Sequence, residues 1–456
     1  MAAGLMGCAK EIPDTGKDNT QKEGVPMTFN LTVLETKAAK TAWADGDKIY
    51  VFFNGLETKY LTLTYDGSSW ANDAGTLVDT DFEGLGTRTL TAVHFPVAVD
   101  VSYAGGKFFF TSGGKPVYNY YLYETGKEYS VDGTKVTATL AMGKPADMVQ
   151  IHVAGIEASV SDYTFGCTKI KPVACASVGT DGAITESVLQ AGARLSGIAD
   201  SDGAIFAGRL EKPGVAADYK FTVASDTHLY TLTRPGRTLT AGKMYNFPAP
   251  SVTGGNNWTA TAASELYVDL GLSVKWAKCN LGAATETEAG DFFAWGELQS
   301  KADFSWGTYL WGNGSSFSKY TGSDYTVLQK EDDAAYAALG GKWRMPTKAE
   351  IEELYNLFKK PPWDVILKPG GSYNNKPTYV VFKDKDGTFE FTFPLSGRKS
   401  GATVTRSGEY AYFWSSSLST NNTADAWSIY AAVLGIVSYS VVDRYYGQPV
   451  RPVWSE

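Results

Sequence analysis

Through residues 26–250 apolar and polar side chains alternate in short runs, and no helical period interrupts them. Met27-Thr28-Phe29-Asn30-Leu31-Thr32-Val33 is one such run, and residues 60–65, 89–96, 107–111 and 117–123 read as further strands. An alternation of period two puts every second side chain on one face, the pattern of a half-buried strand. Turn residues separate the runs: Asp45-Gly46 precedes Lys48-Ile49-Tyr50-Val51-Phe52-Phe53, and Asp66-Gly67 follows Tyr65. Glycine accepts positive φ cheaply, so such pairs reverse the chain between strands. Short strands at regular spacing predict β-sandwiches. A second set occupies residues 142–250, with Asp147-Met148-Val149-Gln150-Ile151-His152-Val153 and residues 219–223, 228–232 and 244–247. His152 should face away from Ile151 and Val153, at a solvated or edge position rather than as a ligand. Residues 251–263, rich in Gly, Asn, Thr and Ala, read as a linker.

Residues 264–456 differ in character. Thr347 and Glu350 form a capping box, and Ile351, Leu354, Tyr355 and Phe358 recur at helical spacing until Pro361-Pro362 stops the helix. A second short helix is expected over residues 332–339, with Glu331, Asp332 and Asp333 solvated at its start. Residues 379–382 and 389–393 predict a hairpin, with Phe389, Phe391 and Phe393 on one face. Asp384 and Asp386 between them read as turn residues, because calcium takes about six to eight oxygens and the loop is not otherwise built for it. Residues 425–431 predict a strand, and 449–453 lie near the closing one.

The chain has 456 residues, enough for about three domains. Its formal charge is -8, and no basic stripe occurs, which argues against nucleic acid as a partner. The three histidines, His94, His152 and His228, are too scattered for a histidine-rich metal site. The four cysteines form no CxxC pair. Cys167 and Cys175 are read either as a disulfide or as two buried thiols. No apolar run approaches the roughly 18 residues of a membrane span. HExxH, GxSxG and P-loop patterns are absent. Glu286 and Glu288 are close in sequence, which does not place two carboxylates across a glycosidic bond. The expectation is a protein without catalytic residues, cofactor or metal. Near the start, Leu5-Met6-Gly7-Cys8 resembles a bacterial lipobox, and a polar tether follows to residue 25. The expectation is an acylated Cys8 and an outer-membrane lipoprotein. An incidental cysteine is the alternative.

Trp43-Ala44-Asp45-Gly46-Asp47-Lys48-Ile49 and Leu239-Thr240-Ala241-Gly242-Lys243-Met244-Tyr245 resemble motifs of the fimbrillin-like (Mfa-like) surface proteins of Bacteroides and its relatives. That resemblance implies two transthyretin-like β-sandwiches, surface display and membership of a pilus or adhesin set. Shaft subunits of that family are typically cut after an N-terminal arginine, whereas no arginine precedes Arg88 here. An anchor, a tip or a stand-alone surface lipoprotein fits better. Downstream, five blocks resemble a domain abundant in surface proteins of Bacteroides and Fibrobacter and related to C-type lectin-like folds. They are Val268-Asp269-Leu270-Gly271-Leu272-Ser273-Val274-Lys275-Trp276-Ala277, Phe293-Ala294-Trp295-Gly296-Glu297, Trp343-Arg344-Met345-Pro346-Thr347, Phe413-Trp414-Ser415-Ser416-Ser417 and Val450-Arg451-Pro452-Val453. The calcium-binding motifs of sugar-binding lectins are missing. Cys279 is the one cysteine in this block, against the formylglycine-generating enzymes that share the fold.

Together these readings give a mostly β, multidomain chain. Residues 1–25 are a lipoprotein-like start and tether, 26–141 and 142–250 two fimbrillin-like, transthyretin-like sandwiches, 251–263 a linker, and 264–456 an α+β C-type lectin-like domain. Trp276, Trp295, Trp343 and Trp414 are expected in the core, with Arg344 and Arg451 paired to carboxylates such as Asp269 or Glu297. Ligand binding is expected on a long aromatic loop carrying Trp306, Tyr309, Trp311 and Tyr320, with Trp306, Trp311 and Tyr320 the most exposed. Residues 398–410 and 417–425 could line the same region. The expected function is cell adhesion at the surface, with a host or dietary glycan or a surface protein as partner. An accessory or tip subunit of a fimbria, contacting other subunits, is the alternative. A glycan-capture lipoprotein of an outer-membrane uptake system is a third reading.

Overall fold

The computed structural model describes residues 24–34, 43–73, 77–156, 163–200, 202–252, 257–359, 363–368, 378–384, 390–433 and 435–456. Cys8, Asp386 and Phe389 lie outside them. The architecture is mostly β and multidomain.

The first unit packs two antiparallel sheets face to face. One runs Trp70–Asn72, Leu61–Tyr65, Lys48–Phe53, Thr89–His94, Leu122–Glu128. The other runs Ile184–Val188, Val173–Gly179, Lys107–Thr111, Asp100–Ala104. This second sheet joins strands from both sides of residue 142. Strand Lys107–Thr111 shows why the alternation matters: Phe108 and Phe110 are buried while Phe109 faces water. Phe52 meets Phe108 with ring centroids 4.7 Å apart, and Phe95 meets Phe110 at 4.9 Å. Strand Thr28–Val33 lies at the end of a three-stranded sheet, paired in parallel with Lys135–Leu140.

The second unit has one sheet around Met148–Ala154, flanked by Gly203–Leu210 and by Met244–Phe247, the latter in parallel. Its facing sheet runs Leu195–Ser196, Thr164–Gly166, Ala216–Ala224, His228–Thr238, Thr259–Ala262. Thus part of the stretch read as a linker forms a strand, and Trp258 is buried in this core. Gly242, at φ +80°, makes the turn into Met244–Phe247, and its N–H donates to the Met148 carbonyl at 2.7 Å. His152 is not at a solvated edge. Its strand is central in the sheet, so the side chain is buried although it does face away from Ile151 and Val153. Cys167 and Cys175 are separate buried thiols.

The C-terminal unit is closed by its own ends: Tyr267–Val268, Lys275–Ala277, Val453–Trp454 and Trp343–Arg344 form one sheet. Helix Lys348–Lys359 starts on the expected box, with the Thr347 N–H donating to Glu350 at 2.7 Å and the Glu350 N–H to Thr347 Oγ1 at 3.4 Å. Ile351, Leu354 and Phe358 pack into the core with Phe382, Phe391, Phe393, Phe413 and Ile429. The predicted hairpin pairs Tyr379–Asp384 with Glu390–Pro394. Three further strands, Tyr410–Leu418, Asp425–Ala432 and Val437–Asp443, form an antiparallel sheet. The short helix covers Ala334–Leu339. Asp332 and Asp333 before it are buried rather than solvated. The Asp333 carboxylate accepts the N–H groups of Ala335, Tyr336 and Met345, so it ties the helix start to the Met345 backbone.

Polar groups join the second unit to the third. Arg194 donates to Thr164, Thr222 and the Ala337 carbonyl. Gln190 donates to Asp332 at 3.0 Å and to the Gly296 carbonyl at 2.9 Å. Among the described residues no helix is long and apolar enough to cross a membrane.

Candidate functional surface

The four rings proposed from the sequence divide into two kinds. Tyr320 is fully buried, against the expectation of exposure. Its backbone sits at φ +62°, its hydroxyl donates to Asp332 at 2.6 Å, and the same oxygen accepts the Gln329 N–H at 3.0 Å. A hydroxyl with a carboxylate and an amide already in place is a brace for the loop, not an adhesive group. Tyr309 is buried too, donating to the Trp295 carbonyl at 2.8 Å. Trp311 is half-buried, with its indole N–H donating to the Gly296 carbonyl. Trp306 is half-buried and packs on Tyr309 and Tyr445.

Arg444, which sequence reasoning missed, organises this loop. It is fully buried, with the guanidinium carbon 3.9 Å from the Phe317 ring centre and 5.4 Å from those of Trp295 and Tyr309. One N–H donates to the Tyr320 carbonyl at 2.9 Å. Burial lowers its pKa, and the aromatic faces supply the compensating negative potential.

The four signature tryptophans are buried as expected. Trp414 donates to the Phe293 carbonyl and Trp295 to that of Ser415, each at 2.8 Å. Of the two signature arginines, Arg344 pairs with a carboxylate as expected, though with Glu350 rather than Asp269 or Glu297, and Arg451 does not. Arg344 grips Glu350 with two N–H donors at 2.8 and 2.5 Å. Arg451 is fully buried and, among the described residues, forms no ion pair with a carboxylate: it donates to Asn280 and to the carbonyls of Ala277, Lys278 and Thr392. Burial pushes its pKa down to about 10. Asp269 and Glu297 pair instead with nearby Lys275 and Lys301.

A connected aromatic strip lies on the surface of this unit. Trp306 touches Tyr445 at 5.0 Å, and Tyr445 stacks on Tyr446 at 4.4 Å. The Arg398 guanidinium lies 4.1 Å from the Tyr446 ring centre and 5.4 Å from that of Tyr412. Tyr412 stacks on Tyr410 at 5.8 Å and lies 6.1 Å from Tyr430, its cross-strand partner. The Arg406 guanidinium, on an exposed residue, lies 5.2 Å from the Tyr410 ring centre. Tyr410, Tyr430, Tyr445 and Tyr446 are half-exposed, while Tyr412 is buried beneath them. Alternation explains the sheet part: Ala411 and Phe413 point into the core, so Tyr410 and Tyr412 point outward. The sequence pointed to residues 398–410 as lining the same region as the loop, but it did not point to this alternation or to residues 445 and 446.

No protein-family model matches the sequence. No curated protein matches it either. Solved structures similar to the chain come from adhesion and fimbrial proteins. A fimbrial protein of Bacteroides ovatus is 12% identical, with 95% of this chain and 99% of that one covered, at a TM-score of 0.26. A Bacteroides ovatus protein provisionally assigned to cell adhesion is 14% identical, covering 53% of this chain and 96% of that one, at 0.27. The fimbrial anchor protein Mfa2 of Porphyromonas gingivalis is 11% identical over 44% of this chain and 78% of that one, at 0.23. At such TM-scores these likenesses carry no argument about what this chain does.

Proposed function

We propose that this chain is a surface-displayed adhesion protein that binds glycan or protein ligands through its C-terminal unit, without catalysis. The observation that carries the reading is the strip from Trp306 through Tyr445, Tyr446, Arg398, Tyr412, Tyr410 and Tyr430 to Arg406. Tyrosine, tryptophan and arginine dominate binding hot spots because they combine a large apolar face with hydrogen-bonding edges. Rings already held by their neighbours lose little freedom on binding. The same chemistry suits the apolar face of a sugar ring. Anchoring through an acylated Cys8 belongs to this reading, and intact-mass measurement on protein from native membranes checks it.

The test is an array of host and dietary glycans and matrix proteins, probed with the full chain, with and without calcium. A Trp306→Ala/Tyr410→Ala/Tyr430→Ala variant, shown to be folded, should lose binding. No ligand on the array, or equal binding by the variant, refutes the proposed surface. A fimbrial subunit is the second reading. Strand Thr28–Val33 favours it, because it stands at the end of its sheet where another subunit's strand could pair. Immunolabelling concentrated on fimbriae rather than spread over the cell would support that reading.

A further inference from the structure

We infer that His152, Asp200 and Asp202 form a binding site for a divalent transition metal of the zinc class, on the second unit and away from the aromatic strip. Three observations meet there. The ligand atoms of the three side chains lie within 4.8 Å of one another. His152 Nε2 is 3.0 Å from Asp202 Oδ1 and 4.0 Å from Asp200 Oδ2. Zinc bonds to nitrogen and oxygen of about 2.0–2.2 Å put neighbouring ligand atoms roughly 3.3 Å apart in a tetrahedron, between these two distances.

The histidine is committed to the site. Its side chain is 10% exposed, and Nε2 has no partner in hydrogen-bond geometry, although a carboxylate oxygen lies close by. A buried ring nitrogen without such a bond is costly. A glycine stands against it: a Cβ on Gly203 would come 2.8 Å from Nε2 and 2.2 Å from the Val153 carbonyl oxygen, so any larger residue would crowd this nitrogen. The two carboxylates flank the turn between strands Ile198–Asp200 and Gly203–Leu210, so small rotations of exposed side chains close the set. Their side chains are 42% and 72% exposed.

The surroundings leave room for more ligands. The three residues line a surface hollow of about 460 Å³ that also holds Asn246 and Met244. Asn246 pairs with His152 in the sheet, so its amide is on the same face. One imidazole and two carboxylates suit zinc, cobalt or manganese better than calcium, which prefers an all-oxygen shell. A bound ion would pin the turn to the central strand, leaving a coordination position for water or an incoming carboxylate.

Full-length protein, freed of metal by chelation, is titrated with zinc ions alone by calorimetry and thermal melting, then with cobalt for absorption spectroscopy. One equivalent of zinc should bind and raise the melting temperature. Cobalt should show d–d bands without thiolate charge transfer, which separates this site from the cysteines. An Asp200→Asn/Asp202→Asn variant should bind at least about tenfold more weakly and lose the thermal shift. Because those side chains are exposed, this variant keeps the test informative even if His152→Ala does not fold. Zinc affinity unchanged in the double variant, thiolate charge transfer, or no bound equivalent overturns the assignment.

Discussion

Replacing Trp414 by alanine tests whether the signature tryptophans are the core of the C-terminal unit. The side chain is fully buried among Leu281, Phe293, Trp295, Met345, Leu418, Ala426 and Val450. Removing a buried indole costs about 3–5 kcal/mol through lost transfer energy and the cavity left behind. The hydrogen bond contributes little of that sum. The Phe293 carbonyl accepts both the indole N–H at 2.8 Å and the Gln448 N–H at 3.0 Å, so it keeps a partner in the variant. Trp414→Phe, which retains most of the apolar volume, should therefore cost only about 1–2 kcal/mol. A multidomain chain does not have one unfolding free energy, so the readout must be local. Hydrogen exchange provides it. In Trp414→Ala, amides of Tyr410–Leu418 and Asp425–Ala432 should exchange at least about a hundredfold faster, while those of Met148–Ala154 stay unchanged. A change below about tenfold in the first two strands would mean the indole does not hold this core, and the structural assignment would fail. An equal effect in Met148–Ala154 would refute the independence of the two cores.

Asp333 gives a pH signature. Desolvation raises its carboxyl pKa to about 6, against a value near 4 in an unfolded chain. The folded state then holds the proton more tightly, so this group's contribution is fully present below about pH 4 and is lost as pH rises through 6. The loss is on the order of 3 kcal/mol. Asn at this position should flatten the difference in stability between pH 4 and 6; an identical pH dependence in the variant would refute it. Glu350→Gln removes the carboxylate that Arg344 grips and that accepts the Thr347 N–H, and should speed hydrogen exchange across Lys348–Lys359 by roughly thirtyfold, a local loss of about 2 kcal/mol. Arg194→Ala leaves the Ala337 carbonyl without its guanidinium donor and should speed exchange in Ala334–Leu339 with little effect on Lys48–Phe53. Unchanged exchange there would mean the contact between the second and third units does not depend on this residue.

Local patterns carried much of the fold. Alternation located the strands Thr28–Val33 and Met148–Ala154, and the Thr347–Glu350 box located a helix, because each depends on residues a few positions apart. The Arg344 partner was also within local reach, six positions along in that box. The Arg451 partners were not: Asn280 is 171 positions away and Thr392 is 59. His152 was misplaced for a related reason. Its own strand shows alternation, but burial came from two strands that pair on either side of it.

The aromatic loop shows the division most clearly. Composition by itself determined that residues 304–325 carry many large rings among glycines and hydroxyls. Only the tertiary structure decided which rings meet solvent. Tyr320 and Trp306 stand 14 positions apart in similar surroundings of sequence, yet the buried Asp332 carboxylate draws the first inward while Tyr445 leaves the second half-open. A ring's exposure depends on what the rest of the chain lays over it. That is a property of distant segments and their packing, which no local spacing encodes.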